Sequence, residues 1–160
     1  MPRFMTREGF DRIHDEIHAL WHVERPQVVT QVTAAAELGD RSENAEYIYG
    51  KKRLREIDSR LRHLRHKVEG ITVVDTDTQP AVPHVQFGAV VTVEDEDGVE
   101  KTWRLVDADE SDTARARISV QSPIGRALLG RRPGDVVEVE LPRGRTSLEI
   151  KALRYGSGAP

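Results

Sequence analysis

Asp40 and Glu43 stand three residues apart in the segment Gly39-Asp40-Arg41-Ser42-Glu43-Asn44, and two carboxylates at that spacing admit two chemistries. One is structural. An Asp at a helix N-cap with Glu three residues later nearly makes a capping box, in which both acids accept backbone N–H groups. Both charges would also sit well against the positive end of the helix dipole. The other chemistry is metal binding. Hard cations such as Mg²⁺ prefer oxygen ligands and often take one or two carboxylates beside water and phosphate oxygens. Two acids on an exposed loop supply only half of such a site. Carried to a partner that already holds one metal and a phosphodiester, they would recruit a second ion and orient a water. An added transition-state stabilisation of about 3 kcal/mol is worth roughly a hundredfold in rate. Spacing alone favours the cap. Ser42 as the cap instead would release both acids for the second role.

The elements on either side decide where the pair sits. Thr6 is a helix opener with Glu8 in the first turn. Phe10, Ile13, Ile17 and Leu20 follow at three- and four-residue steps, and the apolar series resumes at Val28, Val32, Ala35 and Leu38. The step from Leu20 to Val28 is one residue longer than a heptad, with Pro26 inside it. A mid-helix proline costs about 3 kcal/mol, so a kink near residues 22–26 is expected rather than two separate helices. Leu54, Ile57, Leu61, Leu64 and Val68 then keep the spacing of a two-helix seam, and Gly70 is a natural stop. A short connection at residues 39–43 makes the helices antiparallel. Helices of roughly 25–33 residues span about 40–50 Å, with the acidic segment at the closed end.

Beyond residue 74 the pattern changes to strands. Val90–Val93 and Trp103–Val106 flank Asp97-Gly98, a hairpin signal. Ile118 and Val120 mark a short third strand. Ser122-Pro123 opens a short helix ended by Gly130, and two last strands surround Pro142-Arg143-Gly144. The fold class read from this order is α+β. The expected division is an antiparallel coiled-coil hairpin over 1–74, a linker over 75–84, a small domain over 85–155 and a tail over 156–160.

The bulk composition agrees with a modest core. Of 160 residues, 38% are hydrophobic and 32% charged, against the usual ~45–50% and ~25%. There is no cysteine, which excludes disulfides and thiolate-bound metals. No long apolar run or signal segment is present, so a cytoplasmic protein without membrane contact is expected. Charge is uneven. Residues 1–50 hold five basic and nine acidic side chains, whereas residues 51–67 hold eight basic and two acidic ones. The basic stretch suits phosphates and salt-dependent binding, or simply a solvated helix face. His63 and His66 lie in it, which makes part of its charge pH-dependent. His14, His18 and His22 recur at four-residue spacing, a pattern open to a transition metal but read as solvated side chains. Trp21 and Trp103 are read as packing residues, and the acidic run 94–97 as a solvated hairpin loop.

Gly39-Asp40-Arg41-Ser42-Glu43-Asn44-Ala45-Glu46-Tyr47 resembles the coiled-coil tip of the bacterial Gre transcript-cleavage factors. Leu20-Trp21-x-x-Glu24-Arg25-Pro26 and Lys51-Lys52-Arg53-Leu54-Arg55-Glu56-Ile57-Asp58 look like the GreB branch of that family. Phe87-Gly88-Ala89, Ser122-Pro123-Ile124-Gly125-Arg126-Ala127-Leu128-Leu129 and Gly134-Asp135 look like its C-terminal domain. The resemblance is collinear over nearly the whole chain. It implies an FK506-binding-protein-like C-terminal domain that docks at the mouth of the RNA polymerase secondary channel, and a coiled coil that enters the channel. It further implies that Asp40 and Glu43 help hold a Mg²⁺ shared with the polymerase and stimulate cleavage of backtracked RNA by the polymerase itself. Ser42 and Asn44 would support the tip, and Lys52, Arg53, Arg55 and Arg60 would face the extruded RNA. A monomeric accessory factor, not an enzyme, is expected. The alternatives are a secondary-channel modulator without cleavage activity, against which the acid pair argues, and a coiled-coil scaffold, which the C-terminal match disfavours.

Overall fold

Three α-helices occupy residues 7–68 of the computed structural model, which describes residues 3–41 and 43–158. They are α1 (Arg7–His18), α2 (Arg25–Glu37) and α3 (Ala45–Val68). The chain divides into two compact units, Phe10–Ile71 and a second comprising Met1–Gly9 with Thr72–Pro160. The architecture is α+β, a helical hairpin followed by a mixed sheet.

Between α1 and α2 the helix does not break. Ala19–Glu24 forms a π-helical turn, and Arg25 donates its N–H to the Leu20 carbonyl five residues back. A π turn accommodates one residue more than an α turn. That residue is the one the eight-residue step from Leu20 to Val28 requires. Leu20 and Val28 are both buried with Ile57, Leu61 and Leu64, and Ile13, Ile17, Val32 and Leu54 pack at the margins. Each fully buried aliphatic contributes at most about 1.5–3 kcal/mol. Pro26 enters at the start of α2, where the wider turn spares its ring the carbonyl it would strike in a regular helix. The expected kink at 22–26 is therefore met by a π turn. Gly50 lets α2 and α3 pack closely at Val32: it is buried, and a Cβ there would collide with Val32 Cγ2.

In the second unit, β3 (Val90–Glu94), β4 (Glu100–Val106), β5 (Arg117–Ser119), β6 (Val136–Leu141) and β7 (Gly144–Arg154) form one sheet in the order β5-β4-β3-β7-β6. Only the β4–β5 pair is parallel. Val91, Val93, Leu105, Val137, Val139, Leu148 and Ile150 point one face at Leu128 of α4 (Pro123–Leu128) and bury the core. Ser122 caps α4 by accepting the Gly125 N–H at 3.0 Å. In the 94–97 run, Asp95 accepts the N–H groups of Asp97 and Val99, Glu94 pairs with Lys151, and Glu96 accepts the Ser147 N–H.

Two short strands lie outside what period and turn signals predict. Arg3–Thr6 is a strand, β1, paired with β2 (Ile71–Val74) in a separate two-stranded sheet. Thr6 does open α1, its hydroxyl accepting the Gly9 N–H at 3.1 Å. The Thr6 N–H and O–H both go to Glu110, which also accepts the Asp107 N–H. Glu110 is only 7% exposed. Burial raises its pKa above the ordinary glutamate value, and the hydrogen bonds from Thr6 and Asp107 oppose that rise without cancelling it.

Two outcomes follow from this packing. Gly50→Ala should destabilise the chain by about 1–3 kcal/mol through overpacking, whereas in a Val32→Ala background the same change should stabilise, since Ala is the better helix former by ~1 kcal/mol. Urea unfolding of the four variants, followed by circular dichroism, reads the sign reversal. For Glu110, the folded chain keeps a proton that the unfolded chain has released, so stability falls as pH rises from the ordinary glutamate range through its raised folded value. Glu110→Gln should flatten that limb of the stability–pH curve.

Candidate functional site at the hairpin end

The turn joining α2 to α3 is built by a glycine and an asparagine. Leu38 is the C-cap of α2, and Gly39 follows at φ +121°, a region that side-chain-bearing residues rarely enter. Asn44 is the N-cap of α3: its Oδ1 accepts the Tyr47 N–H at 3.2 Å. Its Nδ2 donates to the Ala35 carbonyl at 2.9 Å. A single amide thus satisfies a free donor at the start of α3 and gives the Ala35 carbonyl, which already accepts the Leu38 N–H at 3.2 Å, a second donor across the turn.

The capping-box reading placed an acid at the N-cap, and the structure places Asn44 there. Sequence could not separate the candidates, because Asp, Ser and Asn all favour N-caps. Both acids are exposed in the loop. Arg41, between them in sequence, lies over the Tyr47 ring with its guanidinium carbon 5.9 Å from the centroid. Ser42 lies outside the described residues. The oxygen donors of Asp40 and Glu43 are of the kind that Mg²⁺ takes, and a solvent-facing pair leaves the remaining coordination positions to another molecule. Among the described residues no group of three or more His, Asp or Glu side chains is placed to hold a metal ion. That includes the histidine series: His18 and His22 stack on each other at 4.6 Å, and His14 stacks on Phe10 at 4.5 Å.

The four basic residues taken together from sequence differ in how their charge is met. Lys52 and Arg55 recur with Ser59 and His63 at three- and four-residue steps, on the side of α3 opposite Ile57, Leu61 and Leu64. They line a shallow groove with Glu56 and Arg60. Arg53 flanks the seam, and Arg60 both borders that groove and reaches across the seam. Arg53 is paired with Glu24 at 2.5 Å and Glu56 at 3.2 Å, and Arg60 with Glu16 at 3.0 Å. Their charge is offset by acids 29 and 44 residues away in sequence, a relation visible only once the register of the hairpin is known.

Trp21 departs from its expected packing role. It is 44% exposed, and two guanidinium carbons lie over its ring, Arg25 at 5.4 Å and Arg65 at 5.3 Å. Arg25 is also fixed to Asp58 by bonds of 2.9 and 3.4 Å, which hold the Asp58 carboxyl below its ordinary pKa. Trp103 is partly buried against the sheet core. The signal for the Trp21 cluster was present as Trp21-x-x-x-Arg25, one helical turn apart, but Arg65 and Asp58 come from α3.

Two family models match the chain, one described as transcription elongation factor, N-terminal, over residues 3–73, and one as transcription elongation factor, GreA/GreB, C-terminal, over residues 79–155. The chain is 51% identical over 152 residues to transcription elongation factor GreB of Pseudomonas aeruginosa, covering 94% of this chain and 89% of that protein. It is 48% identical to GreB of Yersinia pestis, with 95% and 88% covered. Among solved structures it is similar to GreA factor homolog 1 of Thermus thermophilus at 22% identity and a TM-score of 0.42, covering 96% of this chain and 99% of that one.

The amide bridge at Asn44 makes a direct prediction. Asn44→Ala should cost about 1–2 kcal/mol, the upper part of the range for a lost cap, because the hydrogen bond across the turn to the Ala35 carbonyl goes with it. Glu43→Gln, which removes no cap, should change stability by no more than about 0.5 kcal/mol. Thermal unfolding of the two variants separates them.

Proposed function

Because the chain belongs to the Gre family of transcription elongation factors and its curated relatives at 43–51% identity are GreB proteins, we propose that its hairpin enters the RNA polymerase secondary channel and stimulates cleavage of backtracked nascent RNA by the polymerase active site. The observation that carries this reading is the division of labour at the hairpin end. Asn44 supplies the N-cap of α3 and a bond across the turn, and Asp40 and Glu43 are both exposed to solvent, where another molecule can reach them. In the capping alternative they would be part of the fold and could not be lent to another molecule.

Asp40 and Glu43 would together hold a Mg²⁺ shared with the polymerase, which when bound offsets phosphodiester charge and lowers the pKa of a coordinated water. The rest of the contribution is the chain's own. The Gly39 turn and the Asn44 bridge pre-set the loop, so little ordering entropy is lost on docking. Lys52 and Arg55, on the outer side of α3, are placed to meet RNA phosphates. Arg53 and Arg60 serve first to brace the hairpin, through their pairs with Glu24, Glu56 and Glu16. The factor acts where transcription takes place, in the cytoplasm, and among the described residues no helix is long and apolar enough to cross a membrane.

The test is to incubate the protein with a backtracked elongation complex and Mg²⁺ and to follow the release of short 3′ RNA fragments. The chain should accelerate release. Asp40→Asn and Glu43→Gln should each lower the stimulated rate by about a hundredfold or more, the scale of a lost transition-state interaction of ~3 kcal/mol, while competition binding shows polymerase affinity retained. Unchanged cleavage with both variants would remove the metal-holding role from the pair.

A further inference from the structure

The two flanks of the hairpin differ in how their charge is balanced. On one, Arg53 and Arg60 are matched by Glu24, Glu56 and Glu16. On the other are Arg25, Arg62 and Arg65 with one carboxylate, Asp58, to which Arg25 is bonded and with which Arg62 interacts electrostatically. At the centre of this second flank stands the half-exposed indole of Trp21, with Arg25 and Arg65 over its ring. Arg25 is latched to Asp58 by two hydrogen bonds. Among the described residues Arg65 has no carboxylate partner, and its guanidinium lies over the indole. One guanidinium is therefore fixed and the other is exchangeable. The indole lies outside the buried seam, in the π turn Ala19–Glu24, and π turns recur at functional positions.

We propose that this flank is a contact for single-stranded RNA, with a base stacking on Trp21 as Arg65 leaves the ring for a phosphate beside Arg62. The inference rests on the reading that the hairpin meets extruded RNA. It adds a site separate from the outer groove of Lys52 and Arg55, and about 25 Å of helix behind the closed end of the hairpin. The chemistry favours nucleic acid over an acidic protein segment. An aromatic ring among cations matches a ligand that alternates flat bases with phosphates, and such stacking is tolerant of sequence. Guanidinium forks match phosphate oxygens. A carboxylate-rich peptide would satisfy the arginines and leave the indole without a planar partner.

Fluorescence anisotropy of a labelled oligouridine with the full chain, across a salt series, tests this. Trp21→Leu should weaken binding about tenfold, within the range for one lost stacking contact. Trp21→Phe should restore most of that loss. Arg65→Gln should reduce the slope of log affinity against log salt by about 0.7, the value for one phosphate contact on a single strand. Arg143→Gln, on the β6–β7 turn, removes the same charge elsewhere and should leave affinity within about twofold of the wild type, since a nonspecific charge effect alone is small under screening. Wild-type affinity in Trp21→Leu and Arg65→Gln overturns the proposal, and so does an equal loss in Arg143→Gln. A Trp21 dependence seen with oligoglutamate and not with oligouridine also overturns it, by assigning the flank to an acidic protein. Circular dichroism of each variant identifies any that fails to fold, and Arg65→Gln, a surface change, carries the test if Trp21→Leu does. Cleavage stimulation by the wild-type chain is measured alongside. Its absence removes the functional reading, whereas intact cleavage without Trp21-dependent binding removes only this inference.

Discussion

The hairpin depends on keeping one apolar seam continuous through a segment where the residue count does not fit. Leu20 and Val28 are eight residues apart and both must reach Ile57, Leu61 and Leu64. A regular α-helix would rotate the residues after Leu20 by about 100° for the extra position, carrying Val28, Val32 and Ala35 off the seam. The π turn absorbs the extra position and returns the stripe to α3. It also takes up the proline, so one local irregularity answers two demands. The close approach at Gly50 and Val32 is possible only because the seam is in phase there.

Once the seam is in phase, it sorts the charges. Residues of α3 beside the seam come within reach of α1 and α2, and those opposite it do not. Arg53 and Arg60 find glutamates and are largely neutralised, while Lys52 and Arg55 face outward. Exposed pairs of this kind add only about 0–1 kcal/mol each, so their larger effect is on where positive charge remains available. A basic stretch that looks uniform in sequence therefore has an occupied flank, an open outer face and a flank centred on Trp21.

Much of this could be read in advance, for reasons that are local. The strands from Val90 to Leu153, the Ser122-Pro123 helix start, the turn at Asp97-Gly98 and the seam from Leu54 to Val68 all declare themselves by period and by turn or cap residues. So does Thr6 as a helix opener. What could not be read depends on distant partners. β1 has four residues and exists through β2 and through Glu110, which is 104 positions from Thr6. The choice of Asn44 over Asp40 or Ser42 as the cap turns on the Ala35 carbonyl across the turn. Trp21 reads as a packing residue because its type is usually apolar interior, and its exposure follows from the phase of the π turn. At the closed end, the acid pair was legible as chemistry and ambiguous as structure.

The amide of Asn44 has a consequence for how such a chain can change over time. It ties residue 35 to residue 47 by side-chain bonds that involve nothing between Leu38 and Glu43. The mechanical joint and the chemical head are thus coded by different residues. Substitutions in the head need not loosen the joint, and the same mounting can carry a head with other groups, or with none. A lineage that keeps the joint is free to alter what the hairpin delivers without having to refold what delivers it.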